Sequence, residues 1–228
     1  SKKYPLLFYV YGEPAGSTVQ DNWEGGALWD QCMSQQGYIV VSVDNRGTKT
    51  PRGKAWRNSI YRQIGLLASQ DQARAAENMF RNFTFIDTSR VGIWGWSGGG
   101  QMTLNCMFRY PKIYKAGLAV SFVSDQRLYD ATYQERYMGL LNDNAKGYYN
   151  GSPLNFTKGL EGHLMIIHGT ADDNVHYQSF EMLVDELIKN NKLFDMMSYP
   201  MRSHSIYERE NTSLHLRRTM ERFWKEHL

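Results

Sequence analysis

Short apolar runs alternate along the chain with stretches of helical spacing. The runs are "LLFYVY" (6–11), "YIVVSV" (38–43), "VGIWG" (91–95), "AGLAV" (116–120), "LMIIHG" (164–169) and "FDMMSYP" (194–200). Several are continuously hydrophobic, as strands covered on both faces must be. Between them lie three apolar stripes: Ala73, Ala76, Phe80 and Phe83; Phe180, Leu183, Val184, Leu187 and Ile188; and Leu216, Met220, Phe223 and Trp224. Strand–helix alternation of this kind predicts an α/β fold, a mostly parallel sheet with helices on both faces. No repeat, low-complexity tract or linker interrupts it, so residues 1–228 read as one domain.

In such sheets the ligand site lies beyond the carboxyl ends of the strands. The residues to inspect are therefore 11–12, 44–47, 96–100, 121–124, 170–175 and 201–205. One of these segments stands out. Gly95-Trp96-Ser97-Gly98-Gly99 places a serine at a strand end, with glycines around it and a helix-compatible run after it. A glycine-rich tight turn is the plain alternative. The other reading is a nucleophile elbow, in which the glycines let the backbone turn sharply and keep Cβ atoms away from the substrate.

A serine hydroxyl is a weak nucleophile until a base takes its proton, and that base needs an orienting acid. In the elbow-bearing fold the acid follows in the chain, and then the histidine. After "LMIIHG" come Asp172 and Asp173, and spacing does not separate the two. After "FDMMSYP" comes His204, in a loop before the last helical stripe. His163, His168, His176, His215 and His227 fit less well, since none follows the final strand in a loop.

Composition narrows the classes. Of 228 residues, 42% are hydrophobic and 14% aromatic, which predicts a ring-rich core rather than disorder. The formal charge of +3 is small and no basic run appears, so nucleic-acid binding is disfavoured. Lys112, Lys115, Arg217 and Arg218 read as solvated surface. No apolar run approaches the ~20 residues needed to cross a bilayer. Cys32 and Cys106 lack metal-ligand spacing and read as buried thiols.

Together "GWSGGG", "HGTADDNVHYQ", "TYQERYMG" and "DNRGT" resemble the catalytic domain of the dipeptidyl peptidase IV branch of the prolyl oligopeptidase family, over essentially the whole chain. The resemblance implies an α/β-hydrolase fold and a serine exopeptidase releasing N-terminal di- or tripeptides after proline or a small residue. It needs no metal or cofactor. An acylaminoacyl peptidase or esterase with the same triad is the rival activity, and an interaction domain without catalysis the non-enzyme rival. The resemblance makes Asp172 the acid, His204 the base and Ser97 the nucleophile, with Asp173 a structural hydrogen-bonding neighbour. Gly98 N–H and the Tyr11 hydroxyl of "VYGEP" become the oxyanion donors, although a rim or core tyrosine is the plain reading of Tyr11. Val123, Tyr129, Tyr133 and Val175 would line a proline pocket, and Asn174 would donate to a substrate carbonyl. Tyr129, Tyr133 and Tyr137 also have the spacing of one helical face.

Two positions depart from the family pattern. Relatives with strict proline preference often carry tyrosine where this chain has Gly98, and tryptophan where it has Gln126, so a wider or more polar pocket is expected. Asp44 and Arg46 are expected to brace the loop beside the site, and Arg127 has no assigned role. The family also carries an N-terminal β-propeller that holds the substrate amine, which these residues do not encode. A homodimer surface on the final helix and an extracytoplasmic setting are further expectations from the family.

Overall fold

The computed structural model describes residues 2–22 and 27–228. Among them six strands form one sheet: β1 (Tyr4–Tyr9), β2 (Ile39–Ser42), β3 (Ile86–Trp96), β4 (Ala116–Val120), β5 (His163–Gly169) and β6 (Asp195–Tyr199). The order is β2-β1-β3-β4-β5-β6 and every neighbouring pair is parallel. Eight α-helices connect or flank them: α1 (Ala27–Gln35), α2 (Gly53–Asn58), α3 (Leu66–Asn82), α4 (Gly98–Arg109), α5 (Ala131–Met138), α6 (Ala145–Gly151), α7 (Gln178–Lys189) and α8 (Thr212–His227).

The continuous hydrophobicity of the strands has the expected cause. On β1, Leu6 and Phe8 face one core while Leu7 faces the other, and all three are inaccessible to solvent. The first core is closed by α3, α4 and α7 through Leu67, Ala73, Leu104, Met107, Phe180 and Leu183. The second is closed by α1 and α8 through Met33, Leu216, Met220, Phe223 and Trp224. Side chains alternating across a strand meet helices on either face, which is why β4 is buried along its whole length.

Several local expectations are corrected. Strand β3 begins at Ile86 rather than Val91, because the polar residues 87–90 are satisfied locally: Asp87 accepts from Ser89 and Arg90. Phe83 caps α3 instead of joining its stripe, and both Phe83 and Ile188 are exposed. Cys32 is exposed on α1, whereas Cys106 is buried, and both are free thiols. Arg217 is not plain solvated surface, for its guanidinium lies over the rings of Trp29 and Trp94. Tyr129 precedes α5 and only Tyr133 and Tyr137 belong to it, although the three rings still pack edge-to-face in sequence, at 5.4 and 4.8 Å between centroids.

The turn from β3 into α4 is the tightest backbone approach in the sheet's centre. A Cβ on Gly99 would stand 2.2 Å from the carbonyl oxygen of Val10, and one on Gly95 would stand 2.4 Å from that same oxygen and from Gly99 backbone atoms. Neither partner can give way, since both are backbone. Gly99→Ala should therefore lower unfolding free energy by about 1–3 kcal/mol or more, as overpacking does. Urea denaturation checks this, and an unchanged midpoint would mean the turn has slack that the geometry does not show.

Candidate active site

The chain enters the site at the end of β3. Ser97 has φ +59° and ψ −121°, outside the regions that non-glycine residues favour. Its N–H donates to the Val120 carbonyl at 2.9 Å, and its carbonyl accepts from Gln101 N–H at 3.1 Å. The strained residue is thus pinned between β4 and the first turn of α4. The Gly98 N–H in that first turn makes no backbone hydrogen bond among the described residues, so a donor and the positive end of the helix remain beside the hydroxyl. Ser97 Oγ also makes no hydrogen bond there. Such contacts are often long without substrate and tighten in the complex.

The loop after β5 supplies the carboxylate. Asp172 Oδ1 accepts the N–H groups of Asn174 and Val175 at 3.0 and 2.9 Å, and its Oδ2 lies 2.8 Å from His204 Nδ1. Burial pushes this carboxyl up, but hydrogen bonds from His168 and His204, with the charge of His204, hold it well below the usual range. Asp173 behaves otherwise than expected. It is exposed and makes no side-chain hydrogen bond among the described residues. The two neighbouring carboxylates are therefore separated by geometry: one is buried and bonded to histidine, the other faces solvent.

His204 is fixed from its backbone as well as its ring. Its carbonyl accepts from Trp96 Nε1 at 2.8 Å and from Ser121 Oγ at 3.1 Å, which ties the loop after β6 to the residue preceding Ser97. With Nδ1–H directed at Asp172, Nε2 is left as the ring's acceptor.

A second histidine, set aside on sequence grounds, also reaches this carboxylate. His168 is fully buried, and its Nε2 donates to the Val175 carbonyl at 2.9 Å and lies 3.2 Å from Asp172 Oδ2. Phe122, Tyr177 and Phe180 surround its ring. The signal was its position at the end of β5, four residues before Asp172. It does not replace His204, because it sits beneath the carboxylate in the core.

The remaining candidates divide. Tyr11 is half-buried, and burial, then the nearby Glu13 carboxylate, raises its hydroxyl well above the ordinary range, so it stays a protonated donor. Val123 and Val175 are buried, and Asn174 is exposed at the rim. Gln126 is fully buried and its side-chain amide has no partner among the described residues. Arg127 has a plain role after all, forking onto Asp125 with Nε at 3.0 and 3.1 Å from the two carboxylate oxygens. Asp44 accepts from Thr18, and Arg46 pairs with Asp71 of α3 at 2.7 and 2.9 Å, so both brace the loop as expected.

Glu13 was missed by the sequence reading, whose strand-end segment stopped at residue 12. It is 6% exposed, and its Oε2 accepts from the Tyr133 hydroxyl at 2.5 Å. Burial pushes its carboxyl up to about 7, against the lowering effect of the Tyr133 hydrogen bond.

Strand order, the strained serine turn and the acid and histidine after the last two strands define an α/β hydrolase. The family model of the prolyl oligopeptidase family matches residues 29–228. The chain is 36% identical over 201 residues to dipeptidyl peptidase 4 of Trichophyton equinum, covering 86% of this chain and 26% of that one. The solved structure of Porphyromonas gingivalis dipeptidyl peptidase 4 superposes with a TM-score of 0.95 at 39% identity, covering 100% of this chain and 32% of that one. The chain belongs to the prolyl oligopeptidase family and spans a third or less of the length of these relatives.

The buried carboxyl has a consequence for stability. Between about pH 4.5 and 7 the folded protein keeps a proton on Glu13 that the unfolded chain releases, so stability falls as pH rises through that window. The loss is on the order of 3 kcal/mol at most. The titratable groups facing Glu13 are Tyr11, Tyr129 and Tyr133, and none of these loses its proton in that range. Glu13→Gln should flatten the decline of Tm between about pH 5 and 8 in thermal melts. Parallel declines in the two proteins would show that Glu13 titrates normally.

Proposed function

We propose that this chain is the catalytic part of a serine exopeptidase that releases dipeptides from peptide N-termini, cleaving after proline or a small residue. The observation that carries the reading is the His204–Asp172 pair, tied through the His204 carbonyl to Trp96, next to a serine at positive φ. The names and lengths of the relatives support the dipeptidyl reaction and a longer protein, whose preceding propeller would hold the substrate amine.

In this mechanism His204 Nε2 takes the Ser97 proton as Oγ attacks the scissile carbonyl. Asp172 holds the ring in the required tautomer and stabilises the imidazolium. The low basicity of Asp172 suits that task, because the carboxylate remains ionised and does not take the proton itself. The oxyanion develops between the Gly98 N–H and the Tyr11 hydroxyl. His204 then protonates the departing amine, and water admitted to the same position hydrolyses the acyl-enzyme with His204 again as base. Val123, Tyr129, Tyr133 and Val175 receive the residue before the scissile bond, where rigid rings suit a proline. Asn174, exposed at the rim, donates to a substrate carbonyl.

Ser97→Ala or His204→Ala should lower kcat by about 10⁴-fold or more with the fold intact, because triad members act as a unit. A fluorophosphonate probe should label the wild type at Ser97 and not the Ser97→Ala protein. Asp172→Asn should be severe and Asp173→Asn nearly silent in the same assay of X-Pro amide hydrolysis by the full-length protein. Near-normal turnover in the Ser97 or His204 variant would sink the assignment, and hydrolysis of esters or acylated peptides alone would favour the rival activity.

Tyr11→Phe should lower kcat by about 10²–10³-fold with little change in KM, since the hydroxyl meets charge that exists mainly in the transition state. A raised KM at unchanged kcat would make Tyr11 a binding residue.

A further inference from the structure

One buried carboxyl at this site has no part in the mechanism above. Glu13 follows Tyr11 by two residues where the chain leaves β1, and its side chain turns inward between Gly98 and Tyr133. Its Cδ lies 2.5 Å from the position a Cβ on Gly98 would occupy, and its Oε1 lies 2.8 Å from it. The carboxyl and any side chain at residue 98 therefore claim the same volume. Oε2 is engaged by the Tyr133 hydroxyl at 2.5 Å, while Oε1 accepts no hydrogen bond among the described residues. No lysine or arginine pairs with the group, so nothing in the described fold repays its burial beyond one tyrosine hydroxyl.

The location gives the carboxyl an audience. Gly98 is the oxyanion donor next to the nucleophile, and Tyr133 is a ring of the pocket for the residue before the scissile bond. A group wedged between them faces the side chain of that residue when the scissile carbonyl sits on Ser97. Residue 98 brings no side chain into this space, which a carboxyl from residue 13 fills instead.

Resting on the function proposed above, we infer that Glu13 is a specificity-determining residue. Its carboxyl forms the wall of the pocket for the residue before the scissile bond, and its free oxygen selects small side chains that carry a hydroxyl. Serine is then favoured over alanine, and ring-hydroxylated proline over proline. One hydrogen bond to a buried carboxyl is worth about tenfold in kcat/KM, so the preference is a bias rather than an exclusion.

The test uses the full-length protein and four dipeptidyl amides that share the N-terminal residue and differ in the second: alanine, serine, proline and 4-hydroxyproline. The wild type should show serine/alanine and hydroxyproline/proline ratios of kcat/KM about tenfold above those of Glu13→Leu. Glu13→Gln, whose amide oxygen still accepts, should recover part of the preference, which a purely structural role would not do. A second arm needs no leucine variant to fold. Gly98→Ala displaces the carboxyl and should depress both ratios, whereas in Glu13→Gly the same alanine should be tolerated without further loss. Turnover of all four substrates with the same ratios in wild type and Glu13 variants would overturn the role of Glu13 and leave the peptidase reading standing. Labelling of Ser97 by a fluorophosphonate without turnover of any of the four would overturn the peptidase reading, and the selectivity with it.

Discussion

Backbone packed on backbone at the end of β3 is the constraint from which the site follows. Gly99 and Gly95 lie so close to the Val10 carbonyl that no side chain fits at either position. This contact draws the start of α4 against the end of β1 and forces the intervening serine into positive φ. It also brings Tyr11 and Glu13, which leave β1 immediately afterwards, to the same place as the nucleophile. A looser turn would separate the Ser97 hydroxyl from the N-terminus of α4.

Electrostatics at the site is arranged around two carboxyls with opposite treatment. Asp172 receives two backbone N–H groups and two histidine nitrogens, and is held ionised despite burial. Glu13 receives one tyrosine hydroxyl and is held near neutrality in its proton affinity. Burial weighs more heavily on Glu13, and Asp172 gathers more donors, so the two causes act in the same direction.

The sheet, its helical faces and the strand-end placement of Ser97, Asp172 and His204 were legible because each leaves a local trace. Double-sided burial leaves continuous apolar runs, and a serine elbow leaves glycines on both sides. Strand ends mark where the acid and histidine must lie. The polar half of β3 was not legible, because Asp87, Ser89 and Arg90 satisfy one another without any apolar pattern. Spacing did not tell Asp172 from Asp173, which only the family resemblance separated along the chain; in the fold the turn buries the first and exposes the second. Glu13 escaped because its partner, Tyr133, is 120 residues away in the chain, whereas His168 escaped although Asp172 follows it by only four. A glycine at 98 reads as an empty space along the chain, yet in the fold that space is taken by a side chain from another loop.

The bond from Trp96 to the His204 carbonyl joins residues 108 positions apart. Beyond β3 the sheet grows outward in chain order, through β4, β5 and β6, and only after β6 does the chain return to that indole. On a ribosome the serine-bearing turn emerges long before the His204 imidazole. In a sheet built in this order, the loop carrying His204 can join the serine-bearing turn only once the final strand is in place.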